Sequence, residues 1–141
     1  RRRQDKGAGT TIGAGMMLCN HLILDGHAAV FRKQHGGADL VYQLLTHLVK
    51  LVGMTELGPP FVTAYATYNQ PKKMWGDTGT VAIVPCAESH ISIHTFWETG
   101  AFNFDLFSCN AFDAESVEAW LVAEYEIVVT GRWAITRNIG G

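Results

Sequence analysis

Between Thr78 and Cys109 the chain reads TGTVAIVPCAESHISIHTFWETGAFNFDLFSC, which gathers a serine directly after a glutamate (Glu88-Ser89), two histidines (His90 and His94), two further acids (Glu98 and Asp105) and a thiol (Cys109). Such groups can transfer protons, attack carbonyls or bind metals, and their spacing decides among these. His90 and His94 stand four apart, which on a helix would be half a zinc motif. The β-branched Ile91 and Ile93 between them favour a strand. At a strand rise of roughly 3.3 Å per residue the two histidines lie about 13 Å apart, too far to share one ion, so no metal is expected. A Cys-His-Asp hydrolase would take Cys109 as nucleophile, His94 as base and Asp105 as orienting acid. Asp105 and Cys109 share a strand face but again stand about 13 Å apart, so a different acid would be needed.

The order of these residues carries more than any one of them. The run Glu88-Ser89-His90-Ile91-Ser92-Ile93-His94-Thr95, the aromatic pair Phe96-Trp97, Glu98, Gly100 and then Phe104-Asp105-Leu106-Phe107-Ser108-Cys109 resemble the prokaryotic-type S-adenosylmethionine decarboxylase proenzymes, whose segment has the form ESHxxIHTWPE…G…xDxFTCG. His21-Leu22-Ile23-Leu24-Asp25 is similar to that family's first strand. The resemblance implies a self-cleaving, pyruvoyl-dependent carboxy-lyase acting on S-adenosylmethionine, a small-molecule substrate, for polyamine and spermidine biosynthesis. The Ser89 hydroxyl would attack the carbonyl of Glu88, an ester would replace the peptide bond, and elimination would split the chain between 88 and 89. Position 89 would then carry a covalent pyruvoyl cofactor, whose ketone forms a Schiff base with the substrate amine and draws electrons as carbon dioxide leaves. By the same resemblance Cys109 returns the proton. His94 assists processing together with Thr78, which stands where the family has Ser. Glu98 hydrogen-bonds the substrate ribose, and Phe96 is an aromatic of the binding site. Thiol and imidazole suit these roles because modest shifts bring both near neutral pH. Taken singly, Ser89 reads as a loop serine, His94 as a structural histidine and Cys109 as a small buried hydrophobe.

Some positions depart from the pattern. Trp97 stands where Pro is usual, and Pro85-Cys86-Ala87 lengthen the segment before the cleavage site. A proline there fixes φ, which either pre-sets or displaces the strained turn that an acyl shift needs. The family's His- and aromatic-rich stretch is replaced by Tyr68-Asn69-Gln70-Pro71-Lys72-Lys73-Met74-Trp75, with Tyr68 and Trp75 both candidates to stack on adenine. Two alternatives stay open: the same chemistry on arginine or ornithine, and a non-processing paralogue that binds and regulates an active partner.

The elements that must position these groups follow from pattern. Leu18 to Asp25 and Phe61 to Tyr68 read as strands, as do Thr80 to Val84, His90 to Glu98 and Phe102 to Cys109. Gln70 to Gly79 reads as a loop. Leu40, Leu44, Leu48 and Leu51, with Val41 and Leu45, set a helix over Asp39 to Val52 that Gly53 stops. Asp113 caps a second helix over Ala114 to Tyr125, with Val117, Trp120 and Leu121 on its apolar face. Glu126 to Arg137 closes the chain as one or two strands. The expected fold is α+β, a two-layer sandwich of an antiparallel sheet with two helices on one face.

Composition limits the rest. A chain of 141 residues suits one core, expected over 16–141 behind a mobile, Gly-rich arm at 1–15 that lacks the GK[ST] of a phosphate loop. Met16-Met17, just before the first apolar run, mark a candidate natural start. A net charge of −2, with Arg1-Arg2-Arg3 as the only basic run, leaves no footprint for nucleic acid. No apolar stretch approaches the ~20 residues that cross a membrane, so a soluble, cytoplasmic protein is expected. The three cysteines lack CxxC spacing and read as reduced thiols, Cys19 and Cys86 in core or loop. Trp120 and Trp133 read as packing aromatics. A charged fraction of 17%, low against roughly 25% for soluble domains, points to covered surface. With the resemblance, this implies a homodimer whose sheets share a buried face.

Overall fold

The computed structural model describes residues 10–11, 17–32, 37–66 and 78–139. Its strands are β1 (Thr10–Thr11), β2 (Met17–His27), β3 (Phe61–Ala66), β4 (Thr78–Cys86), β5 (Ser89–Phe96), β6 (Ala101–Asp113) and β7 (Val128–Ile135). All pair antiparallel in one sheet, in the order β7-β2-β6-β5-β4-β3, while β1 adds two residues beside the start of β2. The helices α1 (Gly37–Val52) and α2 (Ala114–Tyr125) cover the same face. This is the α+β two-layer sandwich that the pattern predicts.

Alternation along the strands sorts the two faces. Leu22, Leu24, Val84, Ile91 and Leu106 are fully buried toward the helices, where they meet Leu44, Leu45 and Leu48 of α1 and Leu121 of α2. The α1 stripe is terminated as its sequence predicts. Gly53 takes φ +78°, its N–H donates to the carbonyl of Lys50, and the N–H of Met54 donates to that of Val49, the two bonds of a Schellman stop. Asp113 caps α2 by accepting from the N–H of Glu115 at 3.1 Å, and also from the N–H of Met17.

Three expectations need correction. Thr78 and Gly79 belong to β4 and not to a loop, because Ala66 and Tyr65 of β3 pair with them and Phe96 closes the other side of Gly79. Leu51 is 46% exposed in the last turn of α1. Trp133 is 49% exposed, because its pairing with Ile23 puts it on the face that no helix covers. Most of the 1–15 arm, Met16, and the Tyr68 to Trp75 stretch with its lysines lie outside the described residues.

Candidate active site

β4 and β5 are joined by a two-residue turn, Ala87-Glu88, closed by the pairing of Cys86 with Ser89. Two-residue hairpins usually place φ > 0 inside the turn. Here neither turn residue does so, and Ser89, just after it, takes φ 153°, a region that residues with a Cβ rarely occupy. Neighbouring strand residues normally point to opposite faces. This backbone instead puts the Ser89 Oγ 3.0 Å from Nδ1 of His90.

The turn is fastened from outside. The Glu88 carboxylate accepts from the N–H of Thr55 at 2.9 Å and from its hydroxyl at 3.1 Å, and the Thr55 N–H holds this carboxyl below its ordinary range. The N–H of Ala87 donates to the Thr55 carbonyl, and the N–H of Leu57 to that of Pro85. On the other side, the Glu88 carbonyl oxygen accepts the N–H of Cys109 at 2.9 Å, which polarises the peptide bond before Ser89.

Cys109 is exposed, whereas Cys19 and Cys86 are buried. Burial pushes the Cys19 thiol up to about 11 and raises that of Cys86. Cys109 is held through its backbone. Buried Asn20 donates its amide to the carbonyls of Ser108 at 3.2 Å and Cys109 at 3.3 Å, and accepts from the N–H of Arg137. Asn20 can reach both because β2 breaks register between Cys19 and His21.

A second group sits at the other end of β5. The His94 Nε2 lies 2.8 Å from the Tyr65 hydroxyl, and its ring stacks on Phe96 at 4.2 Å. Gly79 makes room for this contact, since a Cβ there would stand 2.7 Å from the Tyr65 oxygen. Burial lowers the pKa of His94, so the ring favours its neutral form.

The structure therefore brings Glu88, Ser89 and Cys109 together, and His94 and Phe96 together, but not the two groups. Ser89 and His94 stand five positions apart on β5, about 16 Å at a strand rise. Thr78 is 5% exposed on the helix-covered side of β4, at the opposite end of that strand from the Cys86–Ser89 pair and beside the Phe96 end of β5, with its carbonyl accepting the N–H of Trp97. Glu98 is exposed in the turn between β5 and β6. A shallow depression of about 340 Å³ on the open face is lined by Val81, Ser92, His94, Asn103 and Asp105 among others, but by none of Glu88, Ser89 and Cys109. A larger hollow of about 460 Å³, over α2 and β7, holds the Arg132–Glu118 ion pair and Glu115 but no nucleophile.

In the sequence His90 stands out as a metal-ligand candidate and Asp105 as a hydrolase acid, while Tyr65, Thr55 and Asn20 carry no local mark. Position beside Ser89 was a usable signal for His90. The others reach the site through strand register or a loop clamp, which no local pattern encodes.

The profile of the S-adenosylmethionine decarboxylase family matches residues 20–128. The chain belongs to that family. This family of carboxy-lyases is thus matched from Asn20 through the first residue of β7, a span that includes Thr78, Ser89, His94 and Cys109. An S-adenosylmethionine decarboxylase proenzyme of Archaeoglobus fulgidus is 46% identical over 80 residues, which is 57% of this chain and 60% of the relative. Among the described residues no helix is long and apolar enough to cross a membrane, and no three or more His, Cys, Asp or Glu side chains gather as a metal site.

Proposed function

We propose that this member of the S-adenosylmethionine decarboxylase family is a soluble, cytoplasmic homodimer that cleaves itself between Glu88 and Ser89 and decarboxylates S-adenosylmethionine for polyamine synthesis. The observation that carries the reading is the state of Ser89. Its backbone is at φ 153°, its hydroxyl lies on an imidazole nitrogen at 3.0 Å, and the carbonyl before it accepts the N–H of Cys109. A strained peptide with a nucleophile beside it and a donor on its carbonyl suits an N-to-O acyl shift.

These residues fit a pyruvoyl group at position 89, which supplies an electron-withdrawing ketone to the decarboxylation. Cys109, exposed and next in sequence to the strand partner of Ser89, holds a proton on Sγ for the substrate α-carbon. Phe96 and Glu98 serve the substrate, and His94 with Thr78 supports processing. His94 cannot reach Ser89 along its own strand, so in this reading it serves Ser89 of a second copy. The uncovered sheet face, with Phe61 68%, Val81 43%, Ile83 40% and Trp133 49% exposed, supports such pairing.

Mass spectrometry of the purified protein tests cleavage. Fragments 1–88 and 89–141, the second with a carbonyl in place of its N-terminal amine, are expected; an intact chain overturns the reading. Carbon dioxide release from S-adenosylmethionine, arginine and ornithine, measured side by side, tests the substrate. Release from arginine or ornithine alone would move the activity to that amino acid.

A further inference from the structure

Beside Ser89 lies a set of side chains that the family reading leaves without a role. The His90 Nδ1 is 3.0 Å from the Ser89 Oγ, the His90 Nε2 is 3.6 Å from the Asp105 Oδ1, and that same oxygen is 2.8 Å from the His21 Nε2. Phe107 lies between the two imidazoles, with ring centroids 5.7 Å from His21 and 6.1 Å from His90, and Arg137 caps its ring at 4.1 Å. β4 presents only Pro85 opposite His90. A hydroxyl, an imidazole and a carboxylate in this order form a proton-accepting chain.

Resting on the self-cleavage reading, we propose that His90 is the base that takes the Ser89 hydroxyl proton as Oγ attacks the Glu88 carbonyl, with Asp105 positioning the imidazole. The tautomer follows from the contacts. Nδ1 offers its lone pair to the hydroxyl, and Nε2–H faces the Asp105 carboxylate, which His21 fixes from the other side. As the Oγ–H bond breaks, the proton goes to the His90 Nδ1 and Oγ bonds to the Glu88 carbonyl carbon. The C–N bond to Ser89 then breaks, and its nitrogen takes the proton back from His90. The peptide becomes an ester by isomerisation, with no redox change and no co-reactant. Asp105 stabilises the transient imidazolium, and the Cys109 N–H stabilises the developing oxyanion.

Other bases in the chain are less suited. The Glu88 carboxylate is next to the reacting bond but is held by two donors from Thr55. Within its own chain His94 is about 16 Å away along β5, and a His94 reaching across from a second copy would leave the Oγ–imidazole contact that His90 already makes in place.

The test follows conversion of the full chain to its fragments by mass after cell-free synthesis. The wild type is expected to cleave and His90→Ala to slow by about 100-fold or more, the usual range for a lost general base. Added imidazole should restore part of the rate. The stalled chain should resist hydroxylamine, which cuts an ester at 88–89 but leaves an amide. Asp105→Asn should slow cleavage several-fold alone and add nothing to His90→Ala, because it acts through that ring. A wild type that stays intact overturns both readings. A wild type that cleaves while His90→Ala keeps pace overturns the His90 assignment alone. So does a folded His90→Ala chain that accumulates hydroxylamine-sensitive ester or ignores imidazole. If His90→Ala lacks a cooperative thermal transition, His90→Gln is read for rate and ester in its place, with the same consequences.

Discussion

The Tyr65 hydroxyl and the His94 Nε2 lie 2.8 Å apart across Gly79, the one residue of β4 between them that has no side chain to intervene. Register alone creates this contact: Tyr65 pairs with Gly79, and Gly79 pairs with Phe96, whose ring His94 stacks upon. Tyr65→Phe keeps the aromatic packing and removes the hydrogen bond. If His94 acts in processing, the rate of fragment formation should fall about fivefold, the size of one net hydrogen bond of about 1 kcal/mol, with the thermal midpoint little changed. An equal rate in Tyr65→Phe would show that His94 needs no orienting partner.

Burial of His94 also predicts a pH dependence of stability. Its folded pKa lies below the ordinary 6.5, so as pH falls the unfolded chain binds the proton first. The contribution is fully present above about 6.5 and is lost as pH falls through the lower folded value. Thermal midpoints should be level above pH 7 and decline below about pH 6.5, and His94→Gln should flatten part of that decline. A decline of unchanged size in His94→Gln would place its origin in other groups.

The three thiols should separate by reactivity. Thiolate and access together set alkylation rate. Cys109 is exposed, while Cys19 is buried with its thiol pushed up to about 11 and Cys86 is buried with its thiol also raised. Iodoacetamide at neutral pH should label Cys109 first, as read by peptide mass mapping, and decarboxylation should be lost in step with that label. Activity that survives full labelling of Cys109 would remove it as the proton donor.

How far the sequence carries is set by the range of each interaction. Both helices were legible because their causes are local: the Leu44 and Leu48 stripe, the Gly53 stop and the Asp113 cap all act within a few residues. The family is legible too, in the run that holds Ser89 and Cys109. Hidden from it were the groupings. Asp105 and His21 meet only because β2 and β6 pair Ile23 with Asp105 on one face. Thr55 reaches Glu88 only because the chain turns back after the Schellman stop. Thr78 follows a run of Pro, Gly and Asp that reads as a loop, and only its pairing with Ala66 makes it the start of a strand.

The separation of His94 from Ser89 gives the most decisive prediction. Within one chain the two are about 16 Å apart on β5, yet the open face that carries His94 also exposes Val81, Ile83 and Trp133. If two copies pair through this face, His94 of one copy can serve Ser89 of the other. Ser89→Ala and His94→Ala chains each lack one half of such a site, so neither should cleave alone. Co-expressed, they should form a mixed dimer in which the His94→Ala chain is cut at 88–89, read by mass. Ile83→Asp should shift the protein toward monomer in sedimentation velocity and slow cleavage in parallel. Val122→Asp, on the outer surface of α2 where Val122 is 45% exposed, should change neither. Cleavage of the His94→Ala chain by itself would remove His94 from processing. A mixed dimer in which nothing is cut would show that His94 does not act across the interface, because the heterodimer holds one complete set of both groups.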